Sequence, residues 1–236
     1  MKLLIGTLFL EVTRRCNMQC AHCLRGCSQC LDIPLKCIDR LFDKVEHIYS
    51  VTFTGGEPTL NLPAIEYFFK RAEELKKLPC NFYVVTNGME YQLDLASLLL
   101  KWYPKMEEKD SCGVAISTDQ FHENRDPDAD VLCGLAFYSN INNNPGAIDN
   151  WVLSDRGLAR ENGIGLNTRP FHPTLCIEDV ADDNVEIDSL YLSANGNIVG
   201  DCDLPYEAID ELSVCQLNQL KTYVRHIVKE KKRGAA

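Results

Sequence analysis

An alternation of strand-like and helix-like segments predicts an α/β fold for this chain of 236 residues. Four segments rich in β-branched and aromatic residues each end in Gly, Asn or Asp, and helical patterns separate them. Strand–helix–strand repeats place the strands parallel, with right-handed crossovers. A complete eight-unit barrel takes about 250 residues, and part of this chain carries a hairpin pattern instead. We therefore expect an incomplete (β/α)6 barrel of the TIM type with a short C-terminal hairpin-plus-helix extension.

Each element of the barrel follows from its own pattern. The predicted strands lie at residues 6–13, 51–56, 81–88 and 113–119, and the predicted helices at 38–48, 61–78, 93–103 and 128–141. In the second helix, Pro63 stands in the first turn and lysines stand near the end, which are favoured positions for both. Two further strands are expected at 147–154 and 163–170.

The last part of the chain follows a different pattern. Residues 185–199 form two alternating runs around an Asn-Gly-Asn sequence, which is a hairpin signal. A terminal helix is expected at 214–230. We therefore divide the chain into a partial barrel, residues 1–182, and a C-terminal extension, residues 183–236.

Composition and charge exclude several classes of function. The net charge of −10 and the isoelectric point of about 5.0 disfavour binding to phosphate backbones, so we expect no nucleic-acid partner. No apolar run approaches the roughly 18 residues of a membrane span. The apolar run at the N-terminus is interrupted by Glu11 and lacks a cleavage site, so we expect a cytoplasmic protein. Twelve cysteines in such a protein indicate metal or redox chemistry rather than disulfides.

Polar residues stand where the predicted parallel strands end. Thr54, Asn87, Ser117 and Asp119 come at the ends of the second, third and fourth strands. Sites in parallel barrels and sheets are built at this edge, from the carboxyl ends of several strands. We expect these side chains to face one cavity.

A dense cysteine cluster follows the first strand. Cys16, Cys20 and Cys23 have the spacing C-x3-C-x2-C, and Cys27 and Cys30 follow within seven residues. Three thiolates hold three irons of a [4Fe–4S] cube and leave the fourth iron open to a ligand. The first three cysteines therefore predict an iron–sulfur centre with an open coordination position.

Two motifs together resemble those of the radical S-adenosylmethionine (radical SAM) superfamily. The sequence "CNMQCAHC" at 16–23 is similar to the family's cluster motif, and "GGEP" at 55–58 is similar to the element that holds the methionine part of the cofactor. The resemblance covers residues 7–120 well. It implies that a reduced [4Fe–4S] cluster cleaves S-adenosylmethionine to a 5′-deoxyadenosyl radical, which abstracts hydrogen from a substrate.

The resemblance also assigns cofactor-binding residues. Gly55, Gly56 and Glu57 would hold the methionine ammonium group, and His22 stands at the position against which the adenine packs. Arg169 would meet the cofactor carboxylate. An ordinary polar loop residue is the alternative for His22.

The ribose contacts come from the fourth strand end in this resemblance. Ser117 and Asp119 would hydrogen-bond the ribose, and Asn87 would face the same cavity. A helix cap is the alternative for the Ser-Thr-Asp sequence. His122 and Glu123 form a candidate acid–base pair, and a solvated loop is the alternative for them.

Cys27 and Cys30 are additional to the three cysteines that the cofactor cluster needs. Residues 193–207 resemble the opening of the auxiliary-cluster extensions of the superfamily, called SPASM or twitch domains. The candidate ligands of a second iron–sulfur cluster are Cys27, Cys30, Cys176, Cys202 and Cys215. A zinc knuckle would need a wider separation of its cysteine pairs, and the run does not have ferredoxin spacing. The alternatives are thiols that pack in the core or that give a hydrogen atom back to a substrate radical, the latter a catalytic role for Cys27 or Cys30.

These observations predict a radical SAM oxidoreductase acting on a peptide or protein, in the manner of peptide natural-product maturation. The alternatives are a small-molecule or nucleotide-like substrate, a glycyl-radical activating enzyme, and a non-enzymatic iron–sulfur sensor or electron carrier. An electron donor such as flavodoxin or ferredoxin is the expected protein partner.

Overall fold

The computed structural model describes residues 1–117, 121–122, 130–139, 153–166, 172–181 and 183–234. Its strands are β1 (Lys2–Thr13), β2 (His47–Gly55), β3 (Asn81–Thr86), β4 (Gly113–Ile116), β5 (Ile177–Ala181), β6 (Asn184–Leu192), β7 (Asn197–Val199) and β8 (Cys215–Gln216). Its helices are α1 (Leu35–Lys44), α2 (Leu62–Glu74), α3 (Gln92–Trp102), α4 (Asp130–Cys133), α5 (Gly157–Glu161), α6 (Tyr206–Glu211) and α7 (Leu220–Gly234).

The eight strands found among the described residues belong to one mixed sheet in which parallel pairing dominates. The order is β4-β3-β2-β1-β6-β7-β8, and β5 pairs with β6 beside β7. The pairs among β1, β2, β3 and β4, and the pair β1–β6, are parallel, whereas β5, β7 and β8 pair antiparallel. Over the described residues the sheet does not close. This confirms the predicted α/β class with an open, partial barrel.

The sheet separates a large apolar core from a smaller one. Along β6, Leu190 and Leu192 pack in the large core, which also contains the buried faces of α1, α2 and α3. Tyr191 lies between them in sequence and packs in the small cluster with Leu204 and Tyr206. Since successive side chains of a strand point to opposite faces, the small cluster lies on the face away from those helices.

The hairpin and the strand positions agree with the sequence pattern. Strands β6 and β7 pair antiparallel, with Tyr191 opposite Val199. Strand β6 also pairs with β1 over eight residues, so residues after 182 share the sheet of the barrel strands. The division between residues 182 and 183 stays a prediction. None of the helices in the described ranges is long and apolar enough to cross a membrane.

Three predicted elements differ from the structure. The last helix begins at Leu220 rather than at 214, because Cys215 and Gln216 form β8 against β7. The helix predicted at 128–141 is helical at Asp130–Cys133 within the described residues. The strand predicted at 163–170 is wrong over its described part, 163–166, which is the turn and loop after α5. The strand predicted at 147–154 lies mostly outside the described residues.

Candidate active site

The three cysteines of the C-x3-C-x2-C motif lie in the loop that follows β1. Cys16, Cys20 and Cys23 are each half-buried, and all twelve cysteines of the chain are free thiols. Burial chiefly, with smaller contributions from the negative charges of Glu57, Cys23 and Cys20, raises the pKa of Cys16 to about 11. Burial also raises the pKa of Cys23, with a contribution from Cys20. The three thiols therefore lie within electrostatic range of one another, and a bound cation would favour their thiolate forms.

Backbone hydrogen bonds hold the start of this loop against its return segment. The Arg14 N–H donates to Leu31 O at 2.7 Å, and the Gln29 N–H donates to Arg14 O at 3.0 Å. The Cys16 N–H donates to the Ser28 hydroxyl at 2.9 Å. Backbone groups and the Ser28 hydroxyl therefore hold the start of the loop, and the Cys16 thiol adds one contact by accepting from the Met18 N–H at 3.4 Å.

Helix α5 contacts the loop at its third cysteine. The Leu158 N–H donates to Cys23 O at 2.9 Å, and the Asn162 side chain donates to Ala21 O at 2.9 Å. Gly157 has a φ of +54°, and a Cβ there would overlap the carbonyl oxygens of Cys23 and Leu24. A glycine is required because only that residue allows both the left-handed backbone and the close approach.

The two glycines of the GGEP motif join the end of β2 to the end of β1. Gly55 has a φ of +141°, and a Cβ on it would overlap Thr13 O. A Cβ on Gly56 would overlap Arg15 O, and the Gly56 N–H donates to Thr13 O at 2.9 Å. The close approach at these glycines is made by the protein's own backbone, which carries the cysteine loop. Their assignment to the cofactor stays a prediction.

Glu57 is a buried carboxylate with a full set of donors. It is 1% exposed, and its Oε1 accepts from the Thr59 hydroxyl at 2.8 Å, the Thr59 N–H at 3.1 Å and the Thr86 hydroxyl at 2.7 Å. Its Oε2 accepts from the Asn87 N–H at 2.8 Å. Burial raises the pKa of Glu57, although these four hydrogen bonds act in the opposite direction. Glu57 therefore fixes the end of β2 to the end of β3 beside the cysteine loop.

Asn87 and Ser117 lie at the same sheet edge as the loop. The Asn87 side-chain amide donates to Asn17 Oδ1 at 2.8 Å and lies 3.9 Å from Cys16 Sγ. Ser117 follows β4, and its N–H donates to Thr86 O at 2.9 Å. The structure brings these two predicted residues to the edge where the cysteines lie, as parallel pairing requires.

An aromatic group lies against the second cysteine. The His22 ring stacks on Phe121, with centroids 4.2 Å apart and 22° between the planes. The His122 ring meets His22 edge-on at 5.4 Å, and its Nε2 lies 3.7 Å from Cys20 Sγ. His22 and His122 therefore adjoin the loop, although their proposed roles stay predictions. The predicted residues Asp119, Glu123 and Arg169 lie outside the described residues.

Comparison with known proteins gives the family. Residues 10–126, about half of the chain, match the family model of the radical SAM superfamily, and this range contains the cysteine loop and the GGEP motif. This part of the chain is a radical SAM domain.

Individual relatives match different shares of the chain. A protein of Methanocaldococcus jannaschii described as uncharacterized is 36% identical over 62 residues, which are 25% of this chain and 22% of that protein. Streptococcus suis SuiB bound to the precursor peptide SuiA has a TM-score of 0.41 and 14% identity over 84% of this chain and 59% of that chain. Native anSMEcpe with bound AdoMet and a peptide has a TM-score of 0.35 and 23% identity over 52% of this chain and 33% of that chain. The chain spans less than two thirds of the length of each of these relatives.

A buried ion-pair network joins the radical SAM domain to the segment after residue 183, and the sequence motifs do not reveal it. Arg14 is 1% exposed, and its Nε donates to Glu11 Oε1 at 2.7 Å; Glu11 is fully buried in β1. The other arm of the guanidinium donates twice to Asp210 of α6, each at 2.8 Å. Burial alone would raise the pKa of Asp210, but hydrogen bonds from Arg14 and from two asparagines of the hairpin turn lower it. This network fastens α6 and the hairpin to the start of the cysteine loop.

The network also includes further hydrogen bonds of Glu11 and of Arg14. Its Oε1 accepts from the Ala194 N–H at 2.9 Å, and its Oε2 accepts from the Tyr191 hydroxyl at 2.5 Å. The Arg14 Nη1 also donates to Gln29 Oε1 at 3.0 Å. The sequence signal for this network was Glu11 itself, a charged residue within an apolar strand.

The five candidate ligands of a second cluster occupy different surroundings. Cys27, Cys30 and Cys176 are exposed, whereas Cys202 and Cys215 are half-buried. Burial chiefly, together with the negative charges of Asp203 and Asp201, raises the pKa of Cys202 to about 12. The ligand atoms of these two aspartates and Cys202 lie within 4.8 Å of one another, which is the sole such group of three among the described residues. A second cluster stays a prediction.

The residues present fit the cluster that the family implies. The radical SAM domain offers three thiols on one loop, in mutual electrostatic range, on a backbone held from three sides. Soft thiolates are the ligands that iron–sulfur clusters require. Cys16, Cys20 and Cys23 are the residues that would hold it.

Proposed function

We propose that the chain is a radical SAM enzyme that cleaves S-adenosylmethionine at a [4Fe–4S] cluster and acts on a peptide or protein. The observation that carries this proposal is the placement of three thiols beside Glu57 and Asn87 at the carboxyl edge of a parallel sheet. When bound, the cluster would supply the electron for reductive cleavage of the sulfonium, and Cys16, Cys20 and Cys23 are the residues that would hold it. The chain's own residues hold the cluster, orient the cofactor and separate the reaction from water.

In this proposal, Glu57 acts by positioning Asn87 and the neighbouring strand ends. Its carboxylate already accepts four hydrogen bonds, and these fix Asn87 at 3.9 Å from Cys16 Sγ. The Glu57 carboxylate therefore sets the distance between the cluster loop and the strand ends that would receive the ribose and methionine. Glu57→Ala should weaken S-adenosylmethionine binding, and an unchanged dissociation constant would remove this role.

A peptide substrate is favoured by the segment that resembles the auxiliary-cluster extensions of peptide-modifying members. This segment, residues 193–207, packs directly on the cysteine loop. The Tyr206 N–H donates to Arg25 O at 3.1 Å, and the Arg25 guanidinium donates to Leu204 O at 2.6 Å. A substrate held by this segment would therefore lie near the cofactor.

The first experiment replaces Cys16, Cys20 and Cys23 together by Ala and counts iron and sulfide after anaerobic reconstitution. Cys133, an exposed thiol on α4, is replaced in a matched control that should keep the parent count. A count near zero in the triple variant means that these three cysteines hold the cluster of the parent. A count of about four would mean that the other cysteines hold a second [4Fe–4S] cluster.

The second experiment separates an enzyme from an iron–sulfur sensor or carrier. The reconstituted parent, reduced with dithionite and given S-adenosylmethionine, should form 5′-deoxyadenosine, and Cys20→Ala should form none. A parent that binds the cluster but forms no 5′-deoxyadenosine would refute the proposed enzyme.

A further inference from the structure

A cavity of about 290 Å³ opens beside the cysteine loop, and three arginines line it. Arg25 comes from the loop, and Arg156 and Arg160 come from the segment that forms α5. Two carboxylates also line the cavity, those of Glu161 and Glu207, and both residues are exposed. In a chain with a net charge of −10, a concentration of three guanidinium groups marks this cavity as a site for an anion.

The cavity wall carries a hydroxyl that lacks a partner. Tyr206 lines the cavity and is 2% exposed, and its hydroxyl is buried without a hydrogen-bond partner among the described residues. Buried polar groups are almost always hydrogen-bonded, and each exception calls for an explanation such as a missing ligand. Because the hydroxyl itself is buried, a small shift of the Tyr206 ring would be needed for a ligand oxygen in the cavity to become that partner.

Arg25 is held rigidly at the same wall. Its guanidinium lies 4.9 Å from the centre of the Tyr191 ring, and Leu204 O takes one of its N–H donors at 2.6 Å. A guanidinium has five donors in a fixed fork, which matches the two oxygens of a carboxylate. Stacking on a ring holds this fork in place before a ligand arrives.

The cavity adjoins the cluster-binding loop directly. Gly26 and Gly157 both line it, and the Gly26 N–H donates to Cys23 O at 3.3 Å. The neighbouring Leu158 N–H donates to the same oxygen at 2.9 Å. A group bound in the cavity would therefore lie against the glycines whose backbone adjoins Cys23, the third cysteine of the motif.

We propose that this cavity binds a carboxylate of the substrate peptide, from an acidic side chain or from the peptide C-terminus. This inference rests on the proposed function for the identity of the substrate as a peptide. The arginines of the cavity supply the charge and the paired donors, and the Tyr206 hydroxyl supplies a single hydrogen bond. The small volume suits one acidic group and its immediate neighbours rather than a whole cofactor.

The test uses three short peptides on the reconstituted full chain under anaerobic conditions. Acetyl-Ala-Glu-Ala-amide carries an acidic side chain, acetyl-Ala-Ala-Ala carries a free C-terminus, and acetyl-Ala-Gln-Ala-amide is neutral. Isothermal titration calorimetry gives the dissociation constants. We expect one acidic peptide to bind at least tenfold more tightly than the neutral peptide, and whichever does so identifies the source of the carboxylate. Equal binding of all three peptides would overturn the proposal.

Variants locate the binding in the cavity. Arg160→Met and Arg156→Met should each weaken the preferred peptide about tenfold, since each removes a charge-assisted hydrogen bond. Tyr206→Phe keeps the ring and should weaken binding severalfold. Arg40→Met, an exposed arginine of α1, is the matched control and should leave the affinity unchanged. Unchanged affinity in the first three variants, with circular dichroism confirming their fold, would overturn the proposal.

Two further measurements, competition by inorganic phosphate and formation of 5′-deoxyadenosine, distinguish a failure of the cavity assignment from a failure of the proposed function. If inorganic phosphate displaces the acidic peptide and binds more tightly, the cavity is a phosphate site and the carboxylate assignment is wrong. If the parent forms no 5′-deoxyadenosine but binds acidic peptides through the arginines, the proposed function fails and the cavity assignment stands. If the parent forms 5′-deoxyadenosine but shows no preference for acidic peptides, the cavity assignment fails alone.

Discussion

Replacing Arg14 by Met tests whether the buried ion pair of β1 fastens the extension to the barrel. The substitution keeps an aliphatic side chain that can pack over Tyr206, whose ring centre lies 4.6 Å from the Arg14 guanidinium carbon. It removes the charge that faces Glu11, which is fully buried. It also removes both hydrogen bonds to Asp210.

The two halves of the ion pair contribute unequally. The Asp210 side chain is 39% exposed, so water screens its interaction with Arg14 and that half contributes little. The pair between Arg14 and Glu11 is buried away from water. Removing one partner of a buried ion pair lowers the free energy of unfolding by about 3–5 kcal/mol. Glu11 keeps donors from Ala194 and Tyr191, so we expect the lower end, about 3 kcal/mol. With a urea m-value of about 3 kcal/mol/M, the unfolding midpoint should fall by about 1 M.

The assay is urea unfolding of the cluster-free chain, followed by circular dichroism. Arg71→Met is the matched control, because Arg71 also pairs with two carboxylates, Asp39 and Glu74, but on the surface. The control midpoint should equal that of the parent. Adding Glu11→Gln to Arg14→Met removes the stranded charge and should recover part of the lost stability. Equal midpoints for Arg14→Met and Arg71→Met, or no recovery in the double variant, would refute the reasoning.

Two other predictions concern the cysteine loop and pH. Gly56→Ala places a Cβ against Arg15 O and should lower the iron bound after reconstitution. Gly134→Ala, whose Cβ would make an ordinary van der Waals contact of 3.5 Å with Val131 O, should keep the parent iron content; equal iron contents in the two variants would contradict this. Burial raises the pKa of Cys16 to about 11 and of Cys202 to about 12, above the ordinary thiol value. The folded cluster-free chain therefore holds these protons more tightly than the unfolded chain, so the stabilisation is complete below about pH 9 and is lost as pH rises toward 11–12. The urea midpoint should fall between pH 8 and pH 11, and a flat profile would show that these thiols do not titrate as described.

The strands and their common edge could be predicted because local patterns determine them. The β-branched run of β1 and the apolar runs of β2 and β3 are signals within a few residues. Parallel pairing then brings Asn87 and Ser117 to one edge without further information. The position of the site follows from these facts alone.

The contacts that hold the site could not be predicted because they join distant segments. Arg14 and Asp210 are 196 positions apart, and no local pattern relates them. Gly157 is an ordinary loop glycine in sequence, yet its backbone lies against Cys23. The helix expected to begin at 214 was misplaced because pairing with β7 outweighs helical propensity at Cys215.

The way in which the loop is held decides how a loss of iron can be interpreted. The carbonyl oxygens of Thr13, Arg15 and Cys23 accept hydrogen bonds from the N–H groups of Gly56 and Glu57, which follow β2, and of Leu158 in α5. Gly55 allows the close approach to Thr13 O, and Gly56 allows the close approach to Arg15 O. Since these contacts are made by backbone atoms, replacing the three thiols by Ala removes ligands without removing the supports of the loop. A triple variant that unfolds in urea at the parent midpoint but binds no iron would therefore report on ligation alone.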